Sequence, residues 1–127
     1  MIFPKNMMKW AVQPAWFLSI ILVSYLSLTS SIEMPYEFSG ADKLGHFLAY
    51  TWLAALPFLG FARTRAAFTG AFLMVPLGIG LEFAQLHVPG RNFSVADMIA
   101  DCAGVALVIF VANHIKKKAV SKDGLIA

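Results

Sequence analysis

The sequence predicts an all-α integral membrane protein, a four-helix bundle with its N- and C-termini in the cytoplasm. Hydrophobic residues make up 59% of the 127 residues and charged residues only 13%, whereas about 25% of residues are charged in soluble domains. A soluble protein of this size could not bury so much apolar surface, because small domains leave a large part of their surface exposed. Four apolar runs separated by short polar segments therefore indicate helices that contact lipid.

Each apolar run is long enough to cross a hydrocarbon core of about 30 Å at about 1.5 Å per residue. Residues 1–13 form a short cytoplasmic segment, and the uncharged run after them is too long for a typical signal peptide, so we expect an uncleaved first span. A polar segment with two glutamates, residues 33–41, leads to the second run, and residues 116–127 form a basic tail. The membrane domain is thus predicted at residues 14–115, with spans at about 14–32, 42–62, 66–88 and 94–115.

The distribution of charge predicts the orientation. Eight of the ten Lys and Arg residues lie in the two terminal segments and the turn between spans two and three, which share one side of a four-span protein. The positive-inside rule makes that side cytoplasmic. Six of the seven acidic residues then fall in the outward half. Since the basic residues are spread over short ends, we expect contact with anionic membrane lipids and no binding of nucleic acid.

Polar and ionisable residues occur at the outward ends of three predicted spans. Glu82 lies about 9 Å below the end of span three, and Asp101 lies about 10 Å below the start of span four. Such residues inside a membrane are rare without a partner or a role. We expect the three helices to bring these side chains to one level, below the loop that carries Arg91. The predicted ligand-binding residues are Asp42, Lys43, His46, Glu82, Gln85, Arg91, Asp97 and Asp101.

Some of these residues also have a purely structural interpretation. Ser94-x-x-Asp97 is a helix N-capping pattern, and the helix dipole favours an acid at that position. Asp42 is equally typical of an acid in the first turn of a helix. For the deeper Glu82 and Asp101, the functional interpretation is favoured.

The ordered set of motifs resembles the VanZ-like family of small bacterial membrane proteins. The resemblance covers about residues 42–108, and it departs from the family at Asp101, where asparagine is usual, and at Val108, where glycine is common. The family's named member is associated with low-level resistance to the glycopeptide teicoplanin, which acts outside the membrane on cell-wall precursors. The resemblance implies a multi-pass protein of the bacterial cell (inner) membrane with a role in the envelope, and it brings no settled catalytic residue or cofactor. The matching motifs are Asp42-Lys43-x-x-His46-Phe47, Glu82-x-x-Gln85, Pro89-Gly90-Arg91-x-x-Ser94-x-x-Asp97 and Gly104.

Three functions fit these residues. In the first, the outward site binds or remodels an anionic lipid head group, such as that of a lipid-linked envelope precursor, with Arg91 and Lys43 holding its oxygens. The second is a small proton-coupled transporter, which with only four spans would be a homo-oligomer. The third is a structural factor that assembles another membrane protein.

The sequence leaves open whether the protein is an enzyme. The candidate catalytic residues are His46, Glu82 and Asp97, which could move a proton. A divalent metal among the acids is an alternative, but the dense spacing of metal-binding motifs is missing, so no metal ligand and no cofactor is assigned.

Overall fold

The computed structural model describes residues 5–30 and 40–124, and these residues form four α-helices and no strand. The all-α class predicted from the sequence is therefore confirmed. Residues 33–39 of the predicted polar segment, including Glu33 and Glu37, lie outside the described residues. The helices are α1 Lys5–Leu28, α2 Ala41–Gly60, α3 Thr64–Gln85 and α4 Val95–Asp123.

Three of these helices, α1, α3 and α4, are long and apolar enough to cross a membrane. Helix α2 has a comparable length of 20 residues, but Asp42, Lys43 and His46 in its first two turns lower its hydropathy. The helix ends differ from the predicted spans: α1 begins earlier, at Lys5, and ends earlier, at Leu28, while α4 continues beyond its span to Asp123. A membrane crossing by α2 stays a prediction.

Helix α2 lies at the centre of the bundle and contacts the other three helices. Its Tyr50, Leu53 and Ala54 are buried together with Met74 of α3 and Val105 of α4. The outer faces are apolar as well, and extensive exposed apolar surface generally marks contact with a membrane or another protein. Large side chains that point outward include Leu18, Ile21, Phe72, Leu73, Ile99 and Phe110, each more than half exposed.

A proline in α2 leaves one backbone carbonyl without a hydrogen-bond partner in its own helix, and a side chain of α1 binds that carbonyl. Pro57 lacks an N–H group, so the carbonyl of Leu53, four residues earlier, loses its partner within the helix. The indole Nε1 of Trp16 in α1 donates a hydrogen bond of 2.9 Å to that carbonyl. Because an unpaired carbonyl in an apolar interior is unfavourable, this bond fixes α1 against α2 at a defined position.

Two glycines let α2 approach its neighbours closely. A Cβ atom on Gly104 of α4 would lie 2.6 Å from the carbonyl oxygen of Phe47 and 2.9 Å from the nitrogen of Thr51. A Cβ atom on Gly78 of α3 would lie 3.0 Å from Cε1 of Tyr50 in α2 and 2.8 Å from Oδ2 of Asp101 in α4. Small residues at helix contacts are the usual means of close packing in membranes, and here they bring the polar ends of α2, α3 and α4 together.

Candidate functional site

Four ionisable side chains converge at one end of the bundle. His46 comes from the second turn of α2, Glu82 from the last turn of α3, and Asp97 and Asp101 from the first two turns of α4. Their exposed fractions are low, at 1% for Glu82, 2% for Asp101 and 6% for Asp97. Three helices thus bring these residues to one level, as the helix arithmetic predicted. We call this group the His46 cluster.

The imidazole of His46 contacts all three carboxylates. Its Nδ1 lies 2.9 Å from Oδ1 of Asp101, at hydrogen-bond distance. Its Nε2 lies 3.8 Å from Oε1 of Glu82 and 3.9 Å from Oδ2 of Asp97. An ionised carboxylate can only accept, so beside ionised Asp101 the Nδ1 atom carries the proton. In neutral histidine this leaves the Nε2 lone pair directed toward Glu82 and Asp97.

Glu82 has one satisfied and one unsatisfied oxygen. Its Oε2 accepts a 3.0 Å hydrogen bond from the backbone N–H of Ser94, one of the donors that the start of a helix leaves free. Its Oε1 is buried without a hydrogen-bond partner. An unsatisfied buried polar group costs about 1–3 kcal/mol, and more when charged. Oδ1 of Asp97 is likewise buried without a hydrogen-bond partner, so the cluster has two carboxylate oxygens that a ligand could satisfy.

Asp97 takes part both in the N-cap of α4 and in the His46 cluster. The hydroxyl of Ser94 accepts a 3.2 Å hydrogen bond from the Asp97 backbone N–H, which is the N-cap of α4. The Asp97 carboxylate points elsewhere, with Oδ2 toward His46 and Oδ1 3.6 Å from Nζ of Lys43. The Lys43 side chain is 51% exposed, so it marks the solvent-facing edge of the cluster.

Gln85 and Arg91, two further predicted ligand-binding residues, lie against the C-terminal end of α1. Nε2 of Gln85 donates to the carbonyl of Ser27 at 3.0 Å. Arg91 donates from Nε to Thr29 at 2.9 Å and from Nη2 to Leu26 at 2.6 Å. The last carbonyls of a helix have no partner within it and carry partial negative charge, which a guanidinium complements. These contacts anchor α1, and a ligand-binding role for either residue stays a prediction.

Asp42 is exposed in the first turn of α2. Its ligand-binding role, like those of Gln85 and Arg91, stays a prediction.

Sequence reasoning missed that Gly78 shapes the site. Gly78 lies one turn before Glu82 on the same helix face and leaves the space that the Asp101 carboxylate occupies. The signal was its spacing of four residues from Glu82, which places both on the surface that faces α4.

The cluster has the donor types of a metal site and an excess of negative charge. His46, Glu82 and Asp101 each offer a ligand atom, and these atoms lie within 4.8 Å of one another. With Asp97, three carboxylates stand against one lysine and one histidine. Such a site can attract a proton or a cation.

Comparison with known families identifies a match over most of the chain. The family model described as VanZ/LLP1 matches residues 3–116, nearly the whole chain and all of the region on which the sequence resemblance is based. Comparisons with curated proteins and with solved structures gave no match.

Proposed function

The chain belongs to the VanZ/LLP1 family, and we propose that it is a multi-pass protein of the bacterial cell membrane whose outward-facing polar site binds the anionic head group of an envelope lipid. In this proposal both termini and the turn with Arg63 and Arg65 lie in the cytoplasm. The His46 cluster then opens toward the cell wall. Binding or remodelling of a lipid-linked precursor there would lower sensitivity to glycopeptides of the teicoplanin type.

The observation that carries the proposal is the burial of three carboxylates around one partly exposed imidazole, in a bundle with an apolar exterior. Buried ion pairs are a poor source of stability, because desolvation offsets most of their attraction. Inside a membrane such residues generally mark binding sites or proton paths. Oε1 of Glu82, without a partner, supports a site that is completed by a ligand.

Lys43 is the residue of the cluster that an incoming head group meets first. Its ammonium is half-exposed and bridges to Asp97 at 3.6 Å, so it can turn to a phosphate oxygen without burial of a new charge. We therefore expect Lys43 to contribute to function while contributing little to folding, because exposed ion pairs stabilise by about 0–1 kcal/mol.

The test compares two lysines in a teicoplanin-sensitive bacterial strain that expresses the protein. Lys43→Gln should abolish the resistance given by the wild type, at an equal amount of protein in the membrane fraction. The matched control is Lys116→Gln, because Lys116 is exposed on α4 at the other end of the bundle. This substitution should leave resistance unchanged. Full resistance with Lys43→Gln, or no resistance with the wild type, would contradict the proposal.

A proton-coupled transporter is the second candidate, favoured by the contact of one imidazole with three carboxylates. Proteoliposomes that enclose a pH-sensitive dye would then show proton flux with the wild type and none with Glu82→Gln. Equal dye signals in wild-type, Glu82→Gln and empty liposomes would exclude this function.

A further inference from the structure

The charge of the His46 cluster conflicts with direct binding of an anionic head group. Asp97, Asp101 and Glu82 are buried, and the cations beside them are Lys43 and, when protonated, His46. Even with both positive, one negative charge remains in excess. Since like charges repel strongly where water is excluded, a phosphate would need a further cation at the site.

We infer that a divalent transition-metal cation binds between Nε2 of His46 and Oε1 of Glu82, with Asp101 holding the imidazole in place. The cation would neutralise the cluster and offer positive charge to a phosphate. The inference rests on the proposed function only where it concerns the phosphate of a head group. Binding of the cation itself does not depend on that function.

The first support is the separation of the two ligand atoms. In zinc sites both nitrogen and oxygen ligands lie about 2.0–2.2 Å from the metal, so two of them stand about 3.4 Å apart in tetrahedral geometry. Nε2 of His46 and Oε1 of Glu82 are 3.8 Å apart. A shift of a few tenths of an ångström would bring both into coordination, and a carboxylate oxygen of Asp97 lies 3.9 Å from the same nitrogen.

The second support is the unpartnered oxygen. Glu82 is 99% buried, its Oε2 is held by the backbone of Ser94, and its Oε1 has no hydrogen-bond partner. The bond to Ser94 fixes the carboxylate, so Oε1 faces His46 in a defined orientation. A cation there would satisfy both atoms at once.

The third support is the position of Asp101. Histidine ligands usually donate their other ring N–H to a carboxylate, which fixes the tautomer and makes the ligand nitrogen more basic. Oδ1 of Asp101 lies 2.9 Å from Nδ1 of His46 in that arrangement. An asparagine could accept through its carbonyl oxygen but would lack the charge, so we assign Asp101 as a positioning residue.

Nitrogen and carboxylate donors together suit Zn²⁺ and its first-row neighbours better than Mg²⁺, which prefers oxygen. Two protein ligands with a third carboxylate nearby leave coordination positions for water or for phosphate oxygens. The His46 side chain is 18% exposed, so the cation can reach the site from solvent.

The test is titration of full-length, tag-free protein in detergent with Zn²⁺ alone, after chelator treatment, by calorimetry. We expect one Zn²⁺ per chain and at least tenfold weaker binding of Mg²⁺. Glu82→Gln and His46→Gln should weaken Zn²⁺ binding at least tenfold, and Asp101→Asn should weaken it about 10–100-fold, as loss of a carboxylate partner does elsewhere. Circular dichroism checks that each variant is folded.

Matched controls are His87→Gln and His114→Gln, because both histidines are exposed and outside the cluster. They should bind Zn²⁺ as the wild type does. Absence of one-to-one binding, or equal binding by wild type and folded Glu82→Gln, would overturn the inference.

The two proposals can fail separately. If Zn²⁺ binds as expected but Lys43→Gln keeps full resistance, the cation site stands and the proposed function fails. If Lys43→Gln loses resistance but Zn²⁺ does not bind, the function stands and the cation site fails.

Discussion

Replacement of Gly104 by alanine should destabilise the bundle, although alanine is the better helix former. The new methyl group would lie 2.6 Å from the carbonyl oxygen of Phe47 and 2.9 Å from the nitrogen of Thr51. Ordinary contact begins at 3.4 Å, so one helix must retreat by about 0.8 Å. Both opposing atoms belong to the backbone of α2, which cannot turn away as a side chain can.

The magnitude follows from a comparison with Gly80. A Cβ atom there has nothing within 4 Å, so Gly80→Ala should gain up to about 1 kcal/mol of helix propensity. Gly104→Ala gains the same and loses about 1–3 kcal/mol through overpacking. Propensity cancels between the two variants, and their free energies of unfolding should differ by about 1–3 kcal/mol.

Chemical unfolding in detergent, followed by tryptophan fluorescence, measures this difference. Trp16 is buried between α1 and α2 and should report separation of the helices. Equal stability of Gly104→Ala and Gly80→Ala would refute the close approach of α2 and α4. So would a Gly80→Ala variant that is the less stable of the two.

Two further predictions concern the attachment of α1. Trp16→Phe removes the indole donor from the Leu53 carbonyl and should lower the free energy of unfolding by about 1–3 kcal/mol. In a Pro57→Ala background, where the alanine restores an N–H for that carbonyl, the same change should lower it by less. An equal loss in both backgrounds of this double-mutant cycle would disprove the dependence of the Trp16 bond on Pro57. Arg91→Gln removes two hydrogen bonds to the end of α1. Amide hydrogen exchange at Leu26–Leu28 should then be about tenfold faster, which corresponds to a local opening free energy lower by about 1.4 kcal/mol. Exchange in the first turns of α3 should stay as in the wild type.

Much of the fold could be predicted because composition and periodicity constrain helices directly. Each of the four apolar runs is largely helical, and Ser94 caps α4 as its spacing to Asp97 indicates. The start of α1 and the end of α4 lie beyond the predicted spans for a physical reason. A helix can continue beyond the part that contacts lipid. The hydropathy of a residue indicates whether its side chain prefers lipid or water, and it does not indicate where the backbone hydrogen bonds of the helix end.

The level of the site residues along the helices could be predicted from the sequence, but their hydrogen-bond partners could not. Spacing placed Glu82, Asp101 and His46 at one level, because the rise per residue of a helix is fixed. Spacing could not show that Gln85 and Arg91 would reach α1. Their partners are backbone carbonyls, which every residue has and which a sequence therefore does not mark.

Among the described helices, α2 is the one without a membrane-length stretch apolar enough for a span, and the site is built around it. The cause is the polar residues in its first turns, which include Lys43 and His46. His46 lies on the face of α2 that contacts Glu82 of α3 and Asp101 of α4, whereas Leu48, Trp52 and Leu59 of the same helix are more than half exposed. The polar site therefore lowers the hydropathy of α2 at one end only, and the outer face of the helix stays apolar. A lower hydropathy in the second of four helices is thus compatible with a membrane bundle, and it indicates where the ligand should be sought.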